Sequence, residues 1–192
     1  GKTLAAIATG LYRMQKQHIH STWVVSSAIS IRNNWDEVLQ VYGLSYVFVE
    51  KPQDLRKVKP GDFVIMTLNK VSQYKKQIAR KMRLLNQRVQ FILDESDEIS
   101  NPDSVRCKAV LSCFRRCYAK LLTTGTSTRN NISEFAPQLE LLYNNSINMI
   151  SWNAYVYKRS EDDQEELESH PNPYYGQPIP AYKKGYSLFS GS

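Results

Sequence analysis

Five short apolar runs alternate with helical segments over the first 150 residues, and this alternation constrains the fold more than any other feature. Strands that alternate with helices form a parallel sheet covered on both faces, so the sequence predicts an α/β fold. The predicted strands are Trp23–Ser27, Tyr46–Val49, Asp62–Thr67, Val89–Leu93 and Lys120–Thr124. Apolar residues at helical spacing predict helices over Thr3–Gln17, Ile31–Tyr42, Val105–Tyr118 and Ile132–Tyr143.

Hydroxyl or acidic side chains stand at the end of four of these strands. The carboxyl ends of parallel strands meet at one rim of the sheet, and open α/β sheets bind their ligands there. The sequence therefore predicts a ligand site at this rim, formed by Ser26-Ser27, Thr67, Asp94-Glu95 and Thr123-Thr124.

The chain opens with Gly1-Lys2-Thr3, which match the last three positions of the phosphate-binding loop G-x-x-x-x-G-K-S/T. In that loop, N–H groups at the start of the following helix cradle phosphates. Lys2 would reach the outer phosphates, and the Thr3 hydroxyl would ligate Mg²⁺. Three residues recur by chance in many sequences, but here a predicted helix follows directly, as the motif requires.

An apolar strand delivers two adjacent carboxylates, Asp94 and Glu95, to the same rim. Adjacent side chains diverge, which suits two roles. Asp94 would hold Mg²⁺, directly or through water, and Glu95 would polarise the attacking water as general base. The structural alternative is an acidic strand end that caps the next helix. Lys2 and Thr3 favour the nucleotide interpretation.

The fifth strand ends in Thr123-Thr124-Gly125-Thr126, where the glycine indicates a sharp turn. The threonine hydroxyls can hydrogen-bond the carboxylates at the neighbouring strand end. Alternatively, the segment is only a strand and turn with a hydroxyl-rich cap. The segment supports the nucleotide interpretation through its position in the chain after Gly1-Lys2-Thr3 and Asp94-Glu95.

Positive charge is concentrated in the first part of the chain. Residues 1–150 hold 21 basic and 12 acidic side chains, a net of +9, whereas residues 151–192 hold 4 and 6, a net of −2. The densest basic stretch runs from Lys75 to Arg88, with apolar residues at helical spacing. The simpler interpretation is a helix whose basic face is exposed to solvent. Contact with nucleic-acid phosphates is the second interpretation when charge alone is considered.

The three cysteines lack the paired short spacing of a zinc site, so Cys107, Cys113 and Cys117 are predicted to be buried thiols on a helix. Free thiols indicate a reducing, intracellular compartment. No apolar run approaches the ~20 residues that a membrane span needs, so no membrane partner is expected.

Taken together, these segments resemble superfamily-two helicase-related ATPases, most closely the Swi/Snf-like branch. Gly1-Lys2-Thr3 is similar to the end of motif I, and the first predicted strand with Asn34-Trp35 is similar to motif Ia. Asp62–Thr67 resembles motif Ib, the stretch from Leu93 to Pro102 resembles motif II, and the stretch from Leu122 to Asn131 resembles motif III. All five segments occur in family order.

The resemblance implies a RecA-like P-loop NTPase lobe that uses ATP and Mg²⁺ and acts on nucleic acid, with double-stranded DNA as the expected partner. It implies that Gly1, Lys2 and Thr3 bind nucleotide, that Thr3 and Asp94 hold the metal, and that Lys2, Asp94 and Glu95 are catalytic. It further implies nucleic-acid contacts from Ser26, Ser27 and Thr67, and coupling of the two sites through Thr124, Gly125 and Thr126.

Three residues depart from the family pattern. Glu98 stands where the family has His in D-E-x-H, Ser127 replaces the motif III proline, and Arg129 replaces a Gln. Asp94 and Glu95 are intact, so the departures bear on coupling between hydrolysis and movement rather than on metal binding.

The resemblance also predicts the organisation of the chain. Residues 1–150 form the N-terminal RecA-like lobe, and residues 151–192, rich in Pro and Tyr, begin an insertion or extended loop. The first strand is expected before Gly1 and the second RecA-like lobe after Ser192. The run from Asn172 to Tyr186 suggests phage or bacterial members of the family.

The predicted activity is ATP-driven translocation along duplex DNA. A rival from another class is a non-catalytic nucleic-acid-binding module, which the departures at Glu98, Ser127 and Arg129 motivate. A second rival is a strand-separating helicase of the DEAD/DEAH type.

Overall fold

The computed structural model describes residues 1–101, 103–125, 135–143, 168–171 and 178–181. The strands of the main sheet are β1 (Ser21–Ser26), β2 (Tyr46–Phe48), β3 (Phe63–Thr67), β4 (Val89–Asp94) and β5 (Ala119–Thr123). Their order is β2-β3-β1-β4-β5, and every neighbouring pair is parallel. The predicted α/β fold is therefore confirmed.

Helices connect the strands. They are α1 (Lys2–Lys16), α2 (Ala28–Ser30), α3 (Asp36–Val41), α4 (Leu68–Gln73), α5 (Lys75–Leu84), α6 (Val105–Phe114) and α7 (Ala136–Tyr143). A π turn (Ile31–Trp35) joins α2 to α3, and 3₁₀ turns span Pro52–Lys57 and Ser96–Ile99. None of the helices within the described ranges is long and apolar enough to cross a membrane.

Two further strands, β6 (Glu168–Pro171) and β7 (Pro178–Ala181), form an antiparallel pair that is separate from the main sheet. They lie in the segment that was expected to be an insertion or extended loop. Most of residues 151–192 lies outside the described part of the chain. The division at residue 150 therefore stays a prediction.

Successive strand residues face opposite sides of the sheet, which gives each side its own apolar core. On one side the strands pack against α4, α5 and α6, and Phe114 of α6 stacks on Phe91 of β4 with ring centroids 4.1 Å apart. On the other side, Val24 and Ile92 lie under α1 and under the helical segment of α2, the π turn and α3. Both faces are covered, as predicted.

Helix α1 approaches β1 closely at Gly10. A Cβ atom at this position would stand 2.8 Å from Oγ1 and 2.9 Å from Cγ2 of Thr22. Real Cβ atoms do not occupy such positions, so the close contact requires glycine. The helix that begins at Lys2 is thereby held tightly against the sheet.

The three cysteines are buried, as predicted, but the prediction that all three lie on a helix is wrong for Cys117, because α6 ends at Phe114. Cys107 and Cys113 lie on α6, and Cys117 lies in the turn that leads to β5. Burial raises the pKa of Cys107 and of Cys113 to about 11 and that of Cys117 to about 12. The three thiols therefore belong to the core and stay protonated near neutral pH.

The sheet has a topological switch point between β1 and β4. From β1 the chain continues on one side, to β2 and β3, and then crosses to the other side, to β4 and β5. Open α/β sheets bind ligands beyond the carboxyl ends of the strands at such a point. The last residues of β1 and β4 are Ser26 and Asp94.

Candidate active site

Asp94 is the centre of the rim. Its side chain is 7% exposed, and one oxygen, Oδ2, accepts three side-chain hydrogen bonds. The donors are the hydroxyl of Ser26 at 3.0 Å, the hydroxyl of Ser30 at 2.9 Å and the indole Nε1 of Trp35 at 3.0 Å. These donors lie on β1, α2 and the π turn, which follow one another in the chain. A single oxygen at the end of β4 is therefore hydrogen-bonded to three consecutive elements.

The other oxygen of Asp94, Oδ1, faces the end of β5. It accepts the hydroxyl of Thr123 at 2.7 Å and the backbone N–H of Glu95 at 3.1 Å. The sequence predicted that hydroxyls of this segment bond the neighbouring carboxylates, and this contact confirms it.

These bonds keep Asp94 ionised. Burial raises the pKa of this carboxyl, but the side-chain hydrogen bonds from Trp35, Thr123, Ser30 and Ser26 outweigh that effect and hold the pKa below its ordinary value. Hydrogen bonds to a carboxylate stabilise its charged form. Asp94 is therefore a fixed negative charge at the switch point.

Glu95 follows in a conformation that is rare for a residue with a side chain. Its backbone has φ 54° and ψ 51°, in the left-handed region. Left-handed backbone costs a non-glycine residue roughly 1–2 kcal/mol. The side chain is half-buried and makes no hydrogen bond or ion pair within the described part of the chain. Strain of this kind is common in residues that a site needs to aim in a particular direction.

The predicted phosphate-binding residues lie at the start of α1. Gly1 is its N-cap and its carbonyl accepts the N–H of Ala5, while Lys2 and Thr3 belong to the first turn, whose N–H groups form the positive end of the helix dipole. The Nζ of Lys2 lies 3.8 Å from the point that a Cβ on Gly125 would occupy. The start of α1 therefore lies beside the end of β5, two residues beyond the Thr123 that bonds Asp94.

The donor set suits a hydrated Mg²⁺ better than one bound directly by Asp94. The carboxylate of Asp94 has about four lone-pair sites and already accepts five hydrogen bonds. Mg²⁺ retains several waters and takes few protein oxygens. Of the two predicted modes, contact through water asks less of this carboxylate, because a metal-bound water needs only one hydrogen bond, in place of the Thr123 hydroxyl for example. The metal-binding role of the Thr3 hydroxyl stays a prediction.

The residues predicted to contact nucleic acid occupy different environments. Ser26 is fully buried, and its hydroxyl is committed to Asp94. Ser27 and Thr67 are partly exposed N-caps: the oxygen of Ser27 accepts the N–H of Ser30 at 3.2 Å, and that of Thr67 accepts the N–H of Lys70 at 3.4 Å. Of the predicted residues, Ser27 and Thr67 are thus the ones with surface at the rim.

A groove of about 410 Å³ adjoins these caps. Three cations border it, Arg32, Lys51 and Lys70, together with Thr67 and a single acidic residue, Glu50. Sequence patterning did not indicate these cations, because they come from three separate loops and helices that only the fold brings together.

The turn after Glu95 is tied to two other elements. Thr124 donates to Asp97 at 2.9 Å, and Ser96 donates to Gln138 of α7 at 2.6 Å. Glu98, one of the departures from the family pattern, lies 3.6 Å from the Arg106 guanidinium. The predicted coupling residues Thr124 and Gly125 therefore adjoin the acidic turn.

Part of the motif III segment cannot be placed. The predicted coupling residue Thr126 and the departures Ser127 and Arg129 lie outside the described residues.

Sequence reasoning missed two donors to Asp94. Trp35 was noted as part of an Asn-Trp pair and as an apolar helix residue, but not as a donor, and Ser30 was not noted. Helical periodicity assigned Trp35 to the apolar face of a helix, and it does pack there, with 0% exposure. Neither residue has a local signal for this role, because the contact joins residues 59 and 64 positions apart.

Comparison with known proteins identifies the family. The model of the SNF2-related domain matches residues 1–171. No curated protein matches the chain. Among solved structures, the fold is similar to the "Sulfolobus solfataricus SWI2/SNF2 ATPase core in complex with dsDNA", with a TM-score of 0.58 and 21% identity. The similarity covers 75% of this chain but 29% of that chain, so the present sequence spans less than a third of its length.

The likeness in fold identifies the five-stranded sheet and its helices as a RecA-like lobe of the kind found in such cores. Because the family model covers most of the chain, the protein belongs to the SNF2-related domain family, in the Swi/Snf-like branch of the helicase-related ATPases.

Proposed function

We propose that the chain is the nucleotide-binding lobe of an enzyme that hydrolyses ATP on double-stranded DNA. The observation that carries this proposal is the pair at the switch point. Asp94 is held ionised by five donors, and next to it Glu95 stands in left-handed backbone with its carboxylate unengaged by the described residues. If these carboxylates served only to end a strand, there would be no need for both the five donors on Asp94 and the strained backbone of Glu95.

In this proposal each residue has a separate task. The N–H groups at the start of α1 and the ammonium of Lys2 bind the nucleotide phosphates. Thr3 and, through water, Asp94 hold Mg²⁺, which neutralises charge on the phosphates. Glu95 accepts a proton from the attacking water as general base. Thr124 and Gly125 link the acidic turn to the Lys2 side chain.

The proposed DNA surface is the rim beside the nucleotide site. Ser27 and Thr67 with the cations Arg32, Lys51 and Lys70 would contact the phosphodiester backbone. Backbone contacts of this kind carry no sequence information and suit an enzyme that moves along a duplex. ATP and duplex DNA occur together inside cells, so the proposal implies an intracellular enzyme.

Complete activity is proposed to need a second RecA-like lobe in the same protein. Phosphoryl-transfer enzymes of this type gain much of their rate from an arginine that reaches the phosphates from outside the phosphate-binding lobe. We expect residues 1–192 alone to hydrolyse ATP at a few per cent or less of the rate of the full-length protein. Turnover by the isolated segment that matched the full-length rate would contradict this.

The deciding experiment compares wild type with Glu95→Gln in the full-length protein that contains this sequence. The substitution keeps the size of the side chain and removes its basicity. We expect ATP hydrolysis by wild type to rise on addition of duplex DNA and Glu95→Gln to lose roughly 10²–10⁴-fold in rate. Equal rates for the two proteins would disprove the assignment.

A non-catalytic DNA-binding lobe is the second candidate. The specific observation behind it is that five protein donors already exceed the about four lone-pair sites of Asp94, as they would in a purely structural carboxylate. This candidate predicts salt-dependent DNA affinity that nucleotide does not change. For an active enzyme, duplex unwinding measured beside triplex displacement separates a strand-separating helicase from a translocase.

A further inference from the structure

Asp94 is held from one side by two residues of a single irregular helical segment. We infer that Trp35 and Ser30 are positioning residues: they fix Oδ2 of Asp94 away from the ligand, so that a hydrated metal–nucleotide complex meets this carboxylate at Oδ1. The inference rests on the proposed function and adds to it the residues that orient the metal-binding carboxylate.

The π turn is what brings the two donors together. In an α-helix of 3.6 residues per turn, side chains five positions apart point about 140° away from each other. In the π turn, the N–H of Asp36 instead bonds the carbonyl of Ile31, five residues back. One turn then takes up an extra residue, and Ser30 and Trp35 reach the same oxygen at 2.9 and 3.0 Å. Single π turns inside helices occur often at functional sites.

The positions of the two donors leave little freedom. Trp35 is 0% exposed and Ser30 is 6% exposed, so neither donor has bulk water beside it as an alternative acceptor. With Ser26 they place three donors on one oxygen, which has about two lone pairs. The carboxylate is therefore fixed in rotation, and its second oxygen has a fixed direction.

Oδ1 is the oxygen that can respond to a ligand. One of its two donors is the hydroxyl of Thr123, which is half-buried and can rotate to another acceptor, whereas the three donors on Oδ2 are all buried. A water bound to the metal would enter at Oδ1 in place of that hydroxyl. Loss of a donor on Oδ2 leaves the carboxylate with four hydrogen bonds that fix its rotation less tightly, which weakens its hold on the hydrated ion.

The molecule supplies a matched control for the indole. Trp23 is also 0% exposed, and its Nε1 donates to a serine, Ser21, at 2.8 Å. That bond lies at the start of β1, at the opposite end of the strand from Asp94. Replacement of either tryptophan by phenylalanine removes one buried N–H and similar volume, but only Trp35→Phe removes a donor from the carboxylate.

The test measures equilibrium binding of a fluorescent ATP analogue to the full-length protein, with Mg²⁺ and with EDTA. We expect wild type to bind more tightly with Mg²⁺, and Trp35→Phe and Ser30→Ala to raise the Mg²⁺ concentration at half-effect about tenfold, as loss of ligand-orienting contacts usually does. Binding in EDTA should not change. Trp23→Phe and Ser30→Thr, which keeps a hydroxyl, should behave like wild type.

Each outcome has one meaning. If wild type gains no affinity from Mg²⁺, the proposed function fails and this inference fails with it. If wild type gains affinity but Trp35→Phe and Ser30→Ala match Trp23→Phe, the inference alone is overturned. Thermal melts accompany the titrations. Should Trp35→Phe not fold, Ser30→Ala set against wild type and Ser30→Thr decides, because Ser30→Ala removes only the hydroxyl and the other two proteins retain it.

Discussion

Ser26 and Asp94, the last residues of two neighbouring parallel strands, are joined by a 3.0 Å hydrogen bond between side chains. The bond spans the switch point of the sheet and connects residues 68 positions apart. It is one of five bonds to the same carboxylate, so Asp94 contributes to the stability of the fold as well as to the proposed chemistry.

We expect Asp94→Asn to destabilise the protein by about 2–4 kcal/mol, because an amide nitrogen would then face buried donors. Asp62→Asn is the control. Asp62 is 4% exposed and accepts two hydrogen bonds, from Ser45 and from the N–H of Lys59. Asp62→Asn should therefore lower the free energy of unfolding by less than Asp94→Asn does. Urea unfolding measures both. Equal losses would mean that the five donors add nothing beyond ordinary burial.

The sequence predicted the sheet correctly because the signals for strands are local. Each apolar run ends within about two residues of the observed strand, and Asp94 and Glu95 lie at the predicted rim. The contacts that define the site are not local. The π turn at Ile31–Trp35 has no pattern that distinguishes it from an α-helix, so periodicity could not predict that Ser30 and Trp35 share an acceptor.

The basic stretch from Lys75 to Arg88 was predicted as a single helix, and this is correct for Lys75–Leu84. Helix α4 precedes it and is separate from it, because α4 ends at its cap, Tyr74, directly before α5 begins. The cations that line the groove at the rim, Arg32, Lys51 and Lys70, are instead far apart in the sequence, so no single stretch of the chain contains them.

Glu95→Gly is expected to increase stability and abolish the proposed activity. Glycine relieves left-handed strain of roughly 1–2 kcal/mol but loses about 0.5–1 kcal/mol more chain entropy on folding, so a net gain of up to about 1.5 kcal/mol is expected. Gln87, with φ 58°, lies in the turn before β4 and serves as the control. Gln87→Gly should gain similar stability and retain full ATP hydrolysis. A melting temperature below wild type for Glu95→Gly would rule out strain at this position.

Gly10→Ala is expected to destabilise the protein by about 1–3 kcal/mol, although alanine favours helices, because the added Cβ would overlap the Thr22 side chain. Thr22→Ala in the same chain removes both clashing atoms and should restore part of the loss. Urea midpoints of the single and double variants measure this. If Gly10→Ala were more stable than wild type, α1 would have to lie farther from β1 than described.

The three cysteines should react slowly with thiol reagents in the folded protein. With a pKa of about 11, a thiol is about one-thousandth ionised at pH 8, against about one-tenth for a thiol with the ordinary pKa of 9.0, and Cys117, whose pKa is about 12, should react last. Because the folded pKa values are raised, unfolded thiols ionise first as pH rises above 9, and stability should fall from pH 9 to about pH 11 for Cys107 and Cys113 and to about pH 12 for Cys117.

Mass spectrometry after iodoacetamide treatment at pH 8, with and without guanidinium, measures the reactivity of these thiols. Full labelling is expected only with the denaturant. Rapid labelling of Cys117 in the native protein would mean that the turn between α6 and β5 opens.

Charge reversal separates the two basic surfaces of the lobe. We expect Arg32→Glu with Lys70→Glu, at the rim groove, to weaken binding of duplex DNA at least tenfold and to reduce the salt slope by about 2, as loss of two phosphate contacts would. Arg80→Glu with Lys81→Glu changes the charge equally on α5 and should have a small effect. Fluorescence anisotropy at several salt concentrations measures both pairs. A larger loss for the α5 pair would place the DNA on that helix and overturn the proposed surface.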